Sequence, residues 1–179
     1  SKPWAGLRPF TWVSLNAEPP DAQWVDSIPP PWVNLNAKLI ADSGRPRAEI
    51  ADLAARALRE AKGLNVMRTF TQAELGGTFP ESDVVANRMK RSFFAPRCGD
   101  VAVILEPYSL PVPALSKGTT HGSPFNYDAH APLVVYGPGV SGGVRTEPTT
   151  PQVMASVFAK WLNVRRPKDA AFPLPAALK

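Results

Sequence analysis

Apolar residues recur at helical spacing in three stretches of the chain. Between Pro46 and Gly63, Ile50, Leu53, Ala54, Ala57, Leu58 and Ala61 fall on one face, while Arg47, Asp52, Arg56 and Arg59 lie elsewhere. Pro46 at a first helical position opens this helix and Gly63 closes it. A second helix starts from the cap Ser82-Asp83, buries the stripe Val85, Met89 and Phe93, and carries Lys90 and Arg91 in its last turn. The third runs from the cap Thr150, with Pro151 at its first position, through Val153, Met154, Val157, Phe158, Trp161 and Leu162. Strand patterns alternate with these helices. Trp32 to Asn36 and Asn65 to Phe70 read as strands, while Val101 to Leu105 and Leu133 to Tyr136 are apolar on both faces and read as central strands buried on both sides. Residues 30–110 thus spell β-α-β-α-β, which argues an α/β architecture. Before them, Thr11 to Leu15 and Gln23 to Val25 are short strands in an extended lead-in interrupted by Pro19 and Pro20. The organisation expected is a lead-in at 1–29, a β-α-β-α-β subdomain at 30–110, and a closing strand, loop and helix at 111–179.

Composition narrows the class. The chain has 179 residues, 44% of them apolar and 20% charged, enough for a sizeable core and far from the signature of disorder. Its 21 prolines are more than twice the usual share, and they cluster in stiff connectors between elements. No apolar run approaches the roughly 18 residues of a membrane span. One cysteine, Cys98, closes no intrachain disulfide, and with two histidines it makes no Cys/His zinc cluster. Placed at a turn into a central strand, Cys98 is expected to be buried and structural. The net charge of +5 comes from basic residues scattered singly or in pairs, so nucleic acid is not expected as a specific partner. Ser1-Lys2-Pro3-Trp4 has neither an initiator Met nor the plan of a signal peptide, and the chain reads as trimmed.

Two motifs match in letters and fail in context. Gly137-Pro138-Gly139-Val140-Ser141-Gly142 fits GxGxxG, but a dinucleotide site needs a helix N-terminus inside that turn, and the next helix waits until Thr150. Gly139-Val140-Ser141-Gly142-Gly143 fits GxSxG and fails for the same reason; both histidines also precede Ser141, the wrong order for an α/β-hydrolase triad.

Both histidines fall in the segment from Gly118 to Pro132, which also carries an Asp and small residues. His121 followed by Gly122 leaves an imidazole beside a backbone with little steric cover, suited to a metal or a phosphate, though an ordinary loop histidine satisfies the same pattern. Asp128 and His130, two apart, share one face of an extended segment; either they coordinate a metal or the Asp orients the ring.

The series His121-Gly122-Ser123-Pro124, Tyr127-Asp128-Ala129-His130-Ala131-Pro132 and Val135-Tyr136-Gly137-Pro138-Gly139 resembles the C-terminal signature of the alkaline phosphatase superfamily, in the branch related to type I phosphodiesterases and nucleotide pyrophosphatases. The resemblance extends back through Arg91-Ser92-Phe93, Gly99-Asp100-Val101 and Pro31 to Asn36, and forward to Pro173 to Leu178. It implies the C-terminal part of an alkaline-phosphatase-like α/β core, with residues 30–110 as a cap-like insertion. It also implies that His121 is the last ligand of a two-zinc site, where paired zinc ions clamp a phosphoryl group attacked by a Thr or Ser. Tyr127, Asp128 and His130 are then groups that fix the loop or orient the ligands from behind.

The family's nucleophile and its other ligands lie upstream of the region matched, and no Asp-His-Gly occurs here. Ala129 and Ala131 stand where Thr and Val are more usual, and Gln152 where the last helix usually carries Asp. No catalytic residue is therefore assigned in this chain. The reading is of the C-terminal fragment of a metal-dependent phosphatase or phosphodiesterase, a hydrolase, whose phosphate ester substrate is met through the upstream portion. By itself the fragment would bind zinc weakly or not at all, turn over nothing, and tend to self-associate. The resemblance places such proteins in the periplasm or outside the cell. The alternative, from a different class, is a non-catalytic α/β binding or interaction module.

Overall fold

The structure, a computed structural model, describes residues 23–110, 120–170 and 172–175. The expected strand at Thr11 to Leu15 lies outside the described residues. Contacts divide the chain into two units, 1–130 and 131–179.

The first unit is built on a four-stranded sheet in the order β1 (Val25–Ser27), β2 (Trp32–Leu35), β4 (Val101–Leu105), β3 (Val66–Thr71), antiparallel throughout. β4, the last strand in the chain, thus lies between two strands formed earlier. Val33 pairs with Val101 on one side of it, and Thr71, Phe70 and Thr69 pair with Val101, Ala102 and Val103 on the other. Central placement accounts for a strand apolar on both faces. Val101 and Val103 point into a core with Val33, Leu35, Ile50, Ala54 and Leu58, whereas Ala102 and Ile104 point into a second core with Phe70, Leu75, Ala86 and Met89. Leu105, at the strand's end, is only half-buried, which corrects the expectation of full burial for the whole run.

Two helices, α1 (Ala37–Ser43) and α2 (Arg47–Glu60), cover the first face. On α2, Ile50, Ala54 and Leu58 form the buried ridge, with Ala51 and Ala55 beside them allowing close approach to the sheet. The other face is covered by α3 (Gln72–Gly76) and α4 (Val84–Ser92). Asp83 caps α4 through its side chain, accepting from the Ala86 N–H at 3.0 Å, and also accepts from Arg68. The fully buried residues of α4 are Ala86 and Met89, with Val85 and Phe93 packed against them half-buried.

The sheet and both helical layers meet at Asp100, immediately before β4. Its carboxylate is 4% exposed and accepts two bonds from Arg47, from Nε at 2.5 Å and Nη2 at 2.9 Å, and a third from the Leu35 N–H at 2.8 Å. Its own N–H donates to the Val33 carbonyl at 2.9 Å, and its carbonyl accepts from the Gln72 N–H. Next to it, Gly99 has no room for a side chain. A Cβ there would lie 2.8 Å from the Val33 carbonyl oxygen and 2.9 Å from the Trp32 Cβ.

Cys98, expected to be buried, is half-buried; its sulfur accepts from the Phe94 N–H at 3.3 Å, within the turn that leads to Gly99.

The second unit contains a 3-10 turn, Pro151–Val153, continued by an α-helix, Met154–Trp161. Val153, Val157 and Ala159 are buried, and the Ser156 hydroxyl donates to the Phe172 carbonyl at 2.6 Å. Phe158, Trp161 and Leu162, placed on the apolar stripe by sequence, are exposed, because the described residues of this small unit cover only part of the helix. Leu133 to Tyr136 is likewise corrected. The described chain has it unpaired and outward, with Val134 81% and Tyr136 100% exposed. Both edges of a two-sided strand need partners, and the described strands all lie in the first unit's sheet.

Two substitutions and one control test this frame. Asp100→Ala strands the Leu35 N–H and the Arg47 guanidinium and should cost about 3 kcal/mol or more in urea unfolding. Gly99→Ala should cost about 1–3 kcal/mol through forced backbone movement. Gly76→Ala, whose Cβ would meet nothing within 4 Å, should be neutral or slightly stabilising.

Candidate functional site

The loop that carries His121 is braced from beneath. Phe125 packs into the core shared by Phe70, Leu75 and Met89, and after it the chain makes one helical turn, α5 (Asn126–Ala129). Arg88 of α4 holds both ends of this step, donating from Nη1 to the Pro124 carbonyl at 2.7 Å and from Nη2 to Asn126 Oδ1 at 2.8 Å. Asp128, on α5, reaches back so that its Oδ2 accepts from the Ser123 N–H at 2.6 Å. Gly122 has φ +101°, a left-handed backbone that favours glycine and turns the chain sharply after His121. The result is a closed turn from which the exposed His121 projects.

The bond from the Ser123 N–H is the main reason that the Asp128 carboxyl is held below its usual range; the Gly122 N–H and the nearby His121 act in the same direction, against desolvation. Tyr127 ties in a second loop. Its hydroxyl accepts from the Tyr108 N–H at 3.0 Å, and the two rings stack 4.5 Å apart.

The structure therefore brings Asp128 beside His121 and places Tyr127 on the same helical turn. His130 ends α5, its N–H donating to the Asn126 carbonyl, and no hydrogen bond joins its exposed imidazole to Asp128. The expectation that Asp128 and His130 share a face of an extended segment is corrected, because the residues between Phe125 and His130 close i to i+4 bonds and coil into a helix. The glycine-rich stretch Gly137 to Gly143 is an irregular, largely exposed loop with no helix starting inside it, which leaves both rejected motifs without the geometry that they require.

No protein-family profile matches the chain. Among curated proteins it is similar to a calcium-transporting ATPase of Myroides odoratus, 30% identical over 159 residues, covering 88% of this chain and 28% of that protein. It is 38% identical over 82 residues to alkaline phosphatase PhoD of Zymomonas mobilis, covering 45% of this chain and 14% of that one. To alkaline phosphatase PhoK of a Sphingomonas species it is 28% identical over 130 residues, covering 65% and 23%. The crystal structure of wild-type alkaline phosphatase PafA superposes with a TM-score of 0.71 at 24% identity, over 87% of this chain and 29% of that chain. These relatives and the structural neighbour support a C-terminal portion of an alkaline phosphatase superfamily protein. The chain's mixed α/β fold, with the small antiparallel sheet, matches part of the alkaline-phosphatase-like fold. It spans between 14% and 28% of the length of these curated relatives, in keeping with a C-terminal portion of such a protein.

Among the described residues, no three His, Cys, Asp or Glu side chains gather as a metal site. Asp128 is committed to the Ser123 N–H, which leaves His121 as an outward imidazole donor. A catalytic zinc takes about three protein ligands, so the described residues by themselves do not fit one. Residues missed by sequence reading are Arg88, Asn126 and Tyr108. Arg88 reads as a solvated helical cation, and nothing local announces a partner 36 residues ahead.

Two outcomes check this bracing. Arg88→Ala should speed amide exchange at Ala129 and His130 about tenfold or more while leaving β4 protected, measured by hydrogen exchange. Because the folded Asp128 pKa is lowered, the contribution of its bond to Ser123 is present above the ordinary carboxylate range and lost as pH falls through the depressed value. The Ser123 amide proton should therefore stay shifted downfield through mildly acidic pH and move only in stronger acid, and Asp128→Asn should abolish that titration.

Proposed function

We propose that this chain is the C-terminal part of a two-zinc phosphoric ester hydrolase, a phosphatase or phosphodiesterase of the nucleotide pyrophosphatase-related branch, to which it contributes His121 as one metal ligand. The observation that carries the reading is the projection of His121 from a turn locked by Asp128 and Arg88. A ligand must hold its direction while the metal is bound, and a turn fixed by short hydrogen bonds on a core-anchored helix supplies that rigidity. Tyr127 and Asp128 serve as loop-fixing groups. Residues 30–110 form a cap-like insertion and residues 111–179 close the core. The phosphate ester is met chiefly by the remainder of the longer protein, in the periplasm or outside the cell.

The exposed apolar run Leu133 to Tyr136 supports the same reading. An unpaired two-sided strand pattern fits a segment that completes a sheet elsewhere, and the isolated chain would self-associate through it. A second reading, a non-catalytic α/β binding module, draws on the lack of a three-donor cluster among the described residues.

Zinc titration by calorimetry, with hydrolysis assays on a phosphomonoester and a phosphodiester, separates the outcomes. The 179-residue chain should bind zinc weakly or not at all and hydrolyse neither ester. In the longer protein His121→Ala should lower kcat/KM by about 100-fold or more, and His130→Ala should do much less. Tight stoichiometric zinc with hydrolysis by the short chain would overturn the fragment reading. A longer protein without zinc-dependent hydrolysis would favour the binding module.

A further inference from the structure

Beside the His121 loop lies a cavity of about 390 Å³. Its walls include Val84, Val85 and Arg88 of α4 and the rings of Tyr108, Phe125 and Tyr127. The rings form a ladder. Phe125 and Tyr127 lie 5.6 Å apart at 24°, and Tyr127 and Tyr108 lie 4.5 Å apart at 20°. Tyr108, at the outer end, is 83% exposed. Its backbone has φ +63°, an unfavourable conformation for a residue with a side chain, and the Tyr127 hydroxyl holds its N–H there.

Arg88 is the one charged side chain among the described residues that line the groove. Both terminal nitrogens of Arg88 go to neutral oxygens, those of Pro124 and Asn126, and among the described residues no carboxylate pairs with it. The stretch 84–98 contains Arg88, Lys90, Arg91 and Arg97 and no Asp or Glu, and Arg91 falls one turn beyond Arg88 on α4. Stacked rings beside an uncompensated guanidinium favour a ligand that is flat and apolar at one end and anionic at the other.

We propose that this groove binds an aromatic group joined to a phosphate, the ring stacking on the outer face of Tyr108 and the phosphate lying toward Arg88. Only the link to hydrolysis rests on the proposed function; the binding itself belongs to this chain. The groove selects aryl over alkyl phosphate esters.

Titration of the 179-residue chain without metal, by ligand-observed NMR, tests this with phenyl phosphate, adenosine monophosphate and glycerol phosphate. Phenyl phosphate should bind at least about fivefold more tightly than glycerol phosphate, the range expected of one stacking contact. The adenosine monophosphate arm distinguishes a nucleoside phosphate from a simple aryl phosphate as the preferred source of the ring. Tyr108→Gly removes the ring while easing the left-handed backbone, so it should fold at least as well as the parent and lose this preference; Tyr108→Phe should keep it. Equal binding of phenyl and glycerol phosphates, no binding of phenyl phosphate, or an unchanged preference in a folded Tyr108→Gly chain would overturn the proposal. His121→Ala should leave this binding unchanged, so failure of the groove and failure of the metal-ligand reading show in separate experiments.

Discussion

A buried carboxylate organises the first unit. Asp100 sits where β2, α2 and the β3–α3 corner converge, and it satisfies a backbone N–H of β2 and the side chain of the first residue of α2 with the same two oxygens. Burying such a charge is unfavourable in isolation, and here three donors on two elements offset the loss of water. The Arg47 side chain is 52% exposed, so most of the desolvation falls on Asp100 and little on its partner. The main value of the arrangement is directional. A hydrophobic face lets a helix slide or rotate, whereas a two-pronged bond at its first residue fixes both its position along the sheet and its rotation. Gly99 lets this happen, since any side chain there would drive the Asp100 backbone away from Val33.

From that anchor the order propagates outward in steps of decreasing rigidity. β4 is fixed by strands on both edges and cores on both faces; α4 packs on one of those faces through Ala86 and Met89; Arg88, on the same helix, carries the constraint to a loop with little core of its own. Phe125 is the loop's foot in the core and Asp128 its internal tie. His121 is thus a solvent-facing group whose direction is set by a chain of packed and hydrogen-bonded elements leading back to the sheet.

Local signals in the sequence were legible and distant ones were not. The ridge of α2, the Asp83 cap and the two-sided pattern of Val101 to Leu105 can be read within a dozen residues, because they report which face of an element is dry. The short helices escaped. In α1 only Ile40 is fully buried, so there was no stripe to see, although Asn36 as cap and Gly44 after the last turn were available signals. In α3 the capping box of Thr71 and Glu74 was hidden at the end of a strand pattern. Leu133 to Tyr136 shows the reverse case: its apolar pattern reads as a strand buried on both faces, but a pattern does not say whether the described chain supplies the partners, and here the segment is unpaired and largely exposed. In the site, the motif order singled out His121, whereas Arg88 and Tyr108 act through contacts 36 and 19 residues away that no local pattern encodes.

The position of β4 in the sheet has a consequence in time. β2 and β3 each pair with β4 and not with each other, so neither of them can complete its pairing until residue 105 has been made. As the chain leaves the ribosome, α1, α2 and β3 emerge with apolar faces that have no finished sheet to cover. Contacts of this kind, distant in sequence, close late and slowly. The unit locks from its middle outward, and until the Gly99-Asp100 corner arrives these apolar faces stay uncovered by a finished sheet.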